Sequence, residues 1–204
     1  MKKVYLLVNM ENYDYARFSH IGTWKKFRDF CNECTTPSTK LVEPLQIEWE
    51  YGSDVIGDFS WCGYSIVVVD RVKSFLISKK FECDFGKVEV LKNSTHKRNN
   101  KMQMVSYPYQ GPNLNWLIPK VTINLSIEKT KLNLETDCPE CKLKEYEFKM
   151  DGIIIPKSEL NGEKMFRIKQ FGLSQATYVT EDGLQELLIK DFSNFWYKEA
   201  GYIE

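Results

Sequence analysis

The clearest pattern along the chain lies at residues 121–127 (VTINLSI), where apolar and polar positions alternate without a break, as in a strand with one buried face. Leu132 and Leu134 repeat the alternation, and Tyr146, Phe148 and Met150 resume it. Between them sits Cys138-Pro139-Glu140-Cys141, so the pattern predicts a strand, a Cys-x-x-Cys turn and a returning strand. Shorter apolar runs predict strands at 4–8, 66–69, 85–91, 153–155 and 177–180, and Phe166 and Ile168 give another at 165–170. Asp151-Gly152 turns the chain into the 153–155 strand and Pro156 ends it.

Helical spacing is rarer. Ile21, Trp24, Phe27 and Arg28 predict a helix within 13–30 that runs toward Cys31. Val72, Phe75, Leu76 and Lys79 predict a second, capped by Asp70 and ending near Lys79-Lys80. A third is capped by Thr180, carries Glu181 and Asp182 in its first turn and offers Leu184, Leu187 and Leu188 to the core. Phe195, Trp196 and Tyr197 are expected in the core. No repeat, low-complexity tract or linker stands out. The expected fold is α+β, mostly antiparallel sheet with a few helices. It is read as a single domain over residues 1–204, with a small knuckle subdomain built from about 28–40 and 130–150.

Composition narrows this picture. The 204 residues are 43% hydrophobic and 14% aromatic, which argues against disorder. Lys+Arg and Asp+Glu are both 28, so no global field pulls the chain toward nucleic acid or an acidic membrane. The N-terminal lysines precede an apolar run at 4–8 too short for a signal peptide and followed by no cleavage site. No stretch approaches the roughly 20 apolar residues of a membrane span. A soluble, cytoplasmic protein is expected, where paired cysteines point to metal or redox chemistry before disulfides.

Two such pairs exist, Cys31-Asn32-Glu33-Cys34 and Cys138-Pro139-Glu140-Cys141, 107 residues apart. Two residues between thiolates let both sulfurs face one ion, so the four cysteines predict one shared tetrahedral Zn²⁺ site made by the fold. With its shell full, that metal would be structural. Redox pairs or bare surface thiols are the alternatives, although neither CxxC opens a helix in a βαβ context. Cys62 and Cys83 read as small buried apolar residues.

Catalytic signals are thin. His20 and His96 are the only histidines, and no HExxH, GxSxG, phosphate-binding or dinucleotide-binding motif appears, so the chain is not expected to be an enzyme. Residues 92–101 (KNSTHKRNNK) form a basic stretch without aromatics, read as a surface loop, so nucleic-acid binding is not expected there. Glu43, Glu48, Glu50, Asp54 and Asp58 crowd residues 41–60 with no base. They read either as a solvated acidic face or as a surface for a basic partner, formed by Glu48, Trp49, Glu50, Tyr51, Asp54 and Asp58.

The two distant CxxC units, the Asp70-Arg71-Val72 helix start after an apolar strand, and the tail together resemble the double-CxxCG immunity-type proteins of bacterial polymorphic toxin systems. The tail comprises Met165-Phe166-Arg167-Ile168, Tyr178-Val179-Thr180, residues 184–189 and Gly201-Tyr202-Ile203. The resemblance implies that Cys31, Cys34, Cys138 and Cys141 are metal ligands and that the protein binds and neutralises a cognate toxin. It implies no catalytic residue. The family has glycine after each second cysteine, whereas Thr35 and Lys142 stand there in this chain, which points to altered knuckles or a more distant relative.

Overall fold

The computed structural model describes residues 1–10, 13–21, 24–28, 31–34, 38–93, 103–171 and 176–204, with backbone alone at 24–28 and 38–41. The first half contains β1 (Lys2–Leu7), β2 (Phe18–His20), β3 (Trp24–Arg28), β4 (Ser38–Leu41), β5 (Leu45–Trp49), β6 (Phe59–Cys62), β7 (Ser65–Val69), α1 (Asp70–Ser78) and β8 (Cys83–Leu91). The second half contains β9 (Leu114–Pro119), β10 (Val121–Ile123), α2 (Ile127–Thr130), β11 (Leu134–Asp137), β12 (Lys144–Tyr146), β13 (Ile153–Ile155), β14 (Met165–Ile168), β15 (Tyr178–Thr180), α3 (Glu181–Leu188) and β16 (Tyr197–Ile203). The fold is α+β and rich in antiparallel pairing.

Two six-stranded sheets make up the body. The first has the order β10-β14-β15-β1-β16-β13, antiparallel at its centre and parallel at both edges. The second has the order β2-β5-β8-β9-β7-β6, and its two edges return to each other, His20 Nδ1 lying 3.7 Å from Cys62 Sγ. One side of this curled sheet gathers Phe18, Ile47, Trp49, Val67 and Trp116. Its other side packs Phe59, Trp61, Ile66 and Val68 with Val72, Leu76, Met165, Val179, Leu184 and Leu187, so the two sheets and two helices share this core. The far face of the first sheet buries Val4, Leu6, Ile123, Phe166 and Tyr178. Alternation along each strand sorts these residues between faces.

Gly201 shows how tightly the first sheet is drawn together. A Cβ there would meet the Ile153 carbonyl oxygen at 1.8 Å, so only glycine fits beside β13. The exposed side of β13 is closed by α2: Ser126 N–H donates to the Ile154 carbonyl and Ile154 N–H to Thr130 Oγ1, both at 3.0 Å.

Several expectations are corrected. Residues 13–30 hold no described helix; they supply β2 and β3, because Trp24–Arg28 find hydrogen-bond partners in β4. The strand expected through 121–127 stops at Ile123, where its partner β14 ends and the chain turns into α2. Asp70 does not cap α1. Val69 occupies that position, and the Asp70 carboxylate accepts from Asn113 and Asn115, both at 2.9 Å. Trp196 and Tyr197 are exposed, as is Leu188 on α3. The Thr180 cap stands, its hydroxyl accepting from Gly183 N–H at 3.2 Å.

The structure also contains a repeat that the residue pattern hides. β7–α1 and β15–α3 each run from an extended residue (Val69, Thr180) directly into a helix. Eleven positions later each chain takes a left-handed non-glycine turn, at Lys80 (φ 55°) and Asp191 (φ 46°), followed by a buried phenylalanine, Phe81 and Phe192. After α1 the turn is a Schellman closure, Lys80 N–H to Ile77 O and Phe81 N–H to Leu76 O at 3.0 Å each. Phe75 meets both phenylalanines, at 6.5 and 5.4 Å between ring centroids.

Candidate metal centre

Each CxxC is the tip of a two-stranded hairpin. Cys31 and Cys34 lie between β3 and β4, and Cys138 and Cys141 between β11 and β12. The second hairpin is the one its alternation predicts, and the first replaces the expected helix. The tips meet: Cys31 Sγ lies 3.6 Å from Cys138 Sγ, Cys34 Sγ lies 3.7 Å from Cys141 Sγ, and all four sulfurs fall within 4.8 Å of one another. Sulfurs about 2.3 Å from a shared ion at tetrahedral angles sit about 3.8 Å apart, so the donor set fits a four-coordinate metal. Cys31 and Cys138 are buried, and Cys34 and Cys141 are half-buried.

The second knuckle shows its backbone in detail. Cys141 N–H points at Cys138 Sγ (3.5 Å). Lys142 N–H donates to Cys138 O and Cys138 N–H to Leu143 O, both at 2.9 Å. Lys142 takes φ 59°, the left-handed conformation that glycine adopts without steric cost. A lysine therefore makes the turn for which the double-CxxCG pattern has glycine. Thr35, its counterpart, lies outside the described residues. Glu140 Oε2 is 3.6 Å from Cys31 Sγ, and Asp137 pairs with Lys144 at 3.1 Å. The hairpin is moored to the body by Phe148, whose ring lies 5.1 Å from Tyr64 and 4.9 Å from Phe171.

The lone cysteines differ in kind. Burial pushes the Cys83 thiol up to about 12, and burial also raises Cys62, which is only half-buried beside His20. His20 stands on β2 rather than on a helix, and His96 lies outside the described residues, as does most of the basic loop at 92–101.

The acidic-aromatic stretch does not form one exposed face. Glu48, Trp49 and Asp58 are buried, Glu50 and Tyr51 are half-buried, and Asp54 is exposed. Glu50 accepts from Ser19 Oγ at 2.5 Å and pairs with Arg17 at 3.4 Å. Asp58 is the centre of a clasp: Arg71 grips both carboxylate oxygens, and Ser193 donates through N–H (2.7 Å) and Oγ–H (2.8 Å). Burial alone would raise its pKa, but Arg71 and the Ser193 donors together hold it below the usual carboxylate range. Residue spacing could not reveal this clasp, since Ser193 is 135 positions from Asp58. Two loops also come together beyond the stretch. Ala16 N–H donates to Val55 O (2.7 Å), Glu50 N–H to Arg17 O (2.8 Å) and Ser53 Oγ–H to Asp14 O (2.9 Å), tying residues 14–17 to 50–55; exposed Tyr13 has Arg17 5.0 Å from its ring centre.

Among the described residues no helix is long and apolar enough to cross a membrane. No protein-family model matches the sequence, and no curated protein matches it.

Proposed function

We propose that the protein is a zinc-stabilised immunity-like protein that neutralises a cognate toxin by stoichiometric binding. The observation that carries this reading is the four-sulfur centre, formed by two hairpin tips from opposite halves of the chain. It is what the double-CxxC resemblance calls for, and Lys142 keeps the glycine-like turn despite the substitution. Zn²⁺ held by Cys31, Cys34, Cys138 and Cys141 has no open position, so its role is to fix the hairpins rather than to activate substrate. The binding surface favoured here is the pair of tied loops carrying Tyr13, Arg17, Glu50, Tyr51 and Asp54. Its tyrosines and the exposed carboxylate of Asp54 suit a basic partner.

The test has two parts. Elemental analysis of protein purified without chelator should give one zinc per chain, lost in Cys138→Ser. The toxin candidate is the protein encoded beside this one; co-expression should relieve its toxicity, and Asp54→Lys should slow association at low salt. Toxicity unrelieved by equimolar protein would remove the neutralisation reading while leaving the metal centre intact. A second reading, a zinc-ribbon nucleic-acid module, rests on β3 and β4, which carry Lys25, Lys26, Arg28 and Lys40 and no acid. Salt-dependent shifting of arbitrary DNA or RNA would favour it.

A further inference from the structure

Strand β8 changes partners half-way along. Residues 83–87 pair with β9, and this ladder ends at Lys87 opposite Asn115. Residues 88–91 pair in parallel with β5, and among the described residues no strand lies on their other side. The Lys87 N–H donates to Glu43 Oε1 at 2.8 Å, in the segment leading into β5. Because main-chain groups alternate in direction along a strand, Val88 and Val90 turn theirs away from β5.

That side opens on a groove of about 890 Å³. Val88 and Val90 line it, together with Phe85, Leu114, Tyr107 and Tyr109, and Tyr107 is 51% exposed. Most of its polar wall is already engaged in its own contacts. Asp70 accepts from Asn113 and Asn115, and Lys73 donates to Asn115 Oδ1 at 2.8 Å while lying 5.6 Å from the Phe85 ring centre. These side chains are fixed to one another, so beside Glu43 and Lys87 what the groove offers a ligand is a main-chain edge with no strand against it among the described residues, flanked by apolar and aromatic surface. A sugar or small polar ligand would have to compete with the Asp70–Asn115–Lys73 network. An extended polypeptide would not, since its N–H and C=O groups repeat at the spacing of the edge.

We infer that this groove binds an extended segment of a partner protein, added as a short strand to residues 88–91 of β8 with apolar side chains at alternate positions against Phe85, Tyr107 and Leu114. The inference stands apart from the toxin reading and holds whether or not a toxin is the partner. It also gives the open edge a use, since an uncovered edge otherwise invites unspecific pairing.

The probe is a displayed library of linear peptides about ten residues long, selected against the full chain, with the best binder resynthesised carrying single backbone N-methyl groups. Expected results are a binder weakened about tenfold or more by Tyr107→Ala, an exposed residue whose loss leaves the fold intact, and by N-methylation at every second position only. Bound peptide should slow amide exchange at Val88 and Val90. The proposal is overturned by a library that yields no binder, by binding indifferent to Tyr107→Ala, by N-methyl effects without alternation, or by protection elsewhere. A concentration-dependent dimer protected at Val88 and Val90 without peptide would overturn it too, by assigning the edge to a second copy of the chain.

Discussion

The four-sulfur centre and the core between the sheets both join distant stretches of chain, by opposite means. At the centre, two short hairpins meet through four sulfurs; β11 is exposed over most of its length and β12 at best half-buried. In the core, α1, α3 and strands of both sheets meet through Phe59, Phe75, Phe81, Leu184, Leu187 and Phe192, with the Asp58–Arg71–Ser193 clasp at its rim. Four sulfurs without an ion offer only weak S–H contacts, so under the metal reading proposed above the first junction would depend on a bound ion. The second rests on apolar burial and needs no ligand. Distance along the chain is bridged either by many weak contacts or by a few strong bonds, and the two respond to different conditions.

The largest expected effect separates them directly. Chelation, or Cys138→Ser, should release the metal and lower stability by about 4 kcal/mol where free metal had stood at about 1,000 times its Kd, read by denaturant melts with and without chelator. The loss should appear first as amide exchange in the two hairpins. Uniform loss across the sheets would mean that the centre and the core are one cooperative unit, and the comparison would fail. Phe192→Ala should cost about 3–5 kcal/mol by opening a cavity against Phe59 and Phe75. That cost should be the same with and without chelator.

Asp58→Asn should cost about 2–3 kcal/mol, since it leaves Arg71 without its counter-charge and a Ser193 donor without an acceptor. The sign with pH follows from the depressed carboxyl. Folding favours its charged form, so its contribution is present above the unfolded value of about 3.9 and is lost as pH falls through the lower folded value. In a Cys138→Ser background, where acid release of metal plays no part, acid melts below about pH 4 should lose this component in Asp58→Asn. Parallel curves for both proteins would deny the clasp its charge. The smallest effect is a gain: Lys142→Gly should stabilise the metal-loaded protein by about 0.5–1 kcal/mol by relieving the left-handed lysine. No gain would mean that the second knuckle is not limited by its turn.

Legibility followed how local the cause was. The CPEC hairpin was readable because a turn and two alternating strands are adjacent in the chain, and Thr180 was readable as a cap because its partner is three residues away. The segment leading into the first knuckle fits helical spacing at Ile21, Trp24, Phe27 and Arg28, and only pairing with β4 makes Trp24–Arg28 a strand. The repeat is invisible in the residue pattern because Lys80 and Asp191 share a backbone conformation but no side-chain chemistry. The acids at 41–60 were read as one stretch, yet Glu48 and Asp58 are buried by strands that arrive from elsewhere.

By itself the sequence determined the α+β class, most strands and two of the helices, and the four cysteines as the candidate ligands. Period-two alternation, caps and CxxC spacing act over a few residues, so they are written in the order of the chain. The sequence also predicted that the two knuckles share one site, which the fold brings together; the tertiary structure alone decided that Asp58 belongs to Arg71 and Ser193, and that residues 88–91 of β8 have no strand on their far side among the described residues. Each depends on segments tens of residues apart meeting in one register, which is set by the summed packing of both sheets and by no local signal.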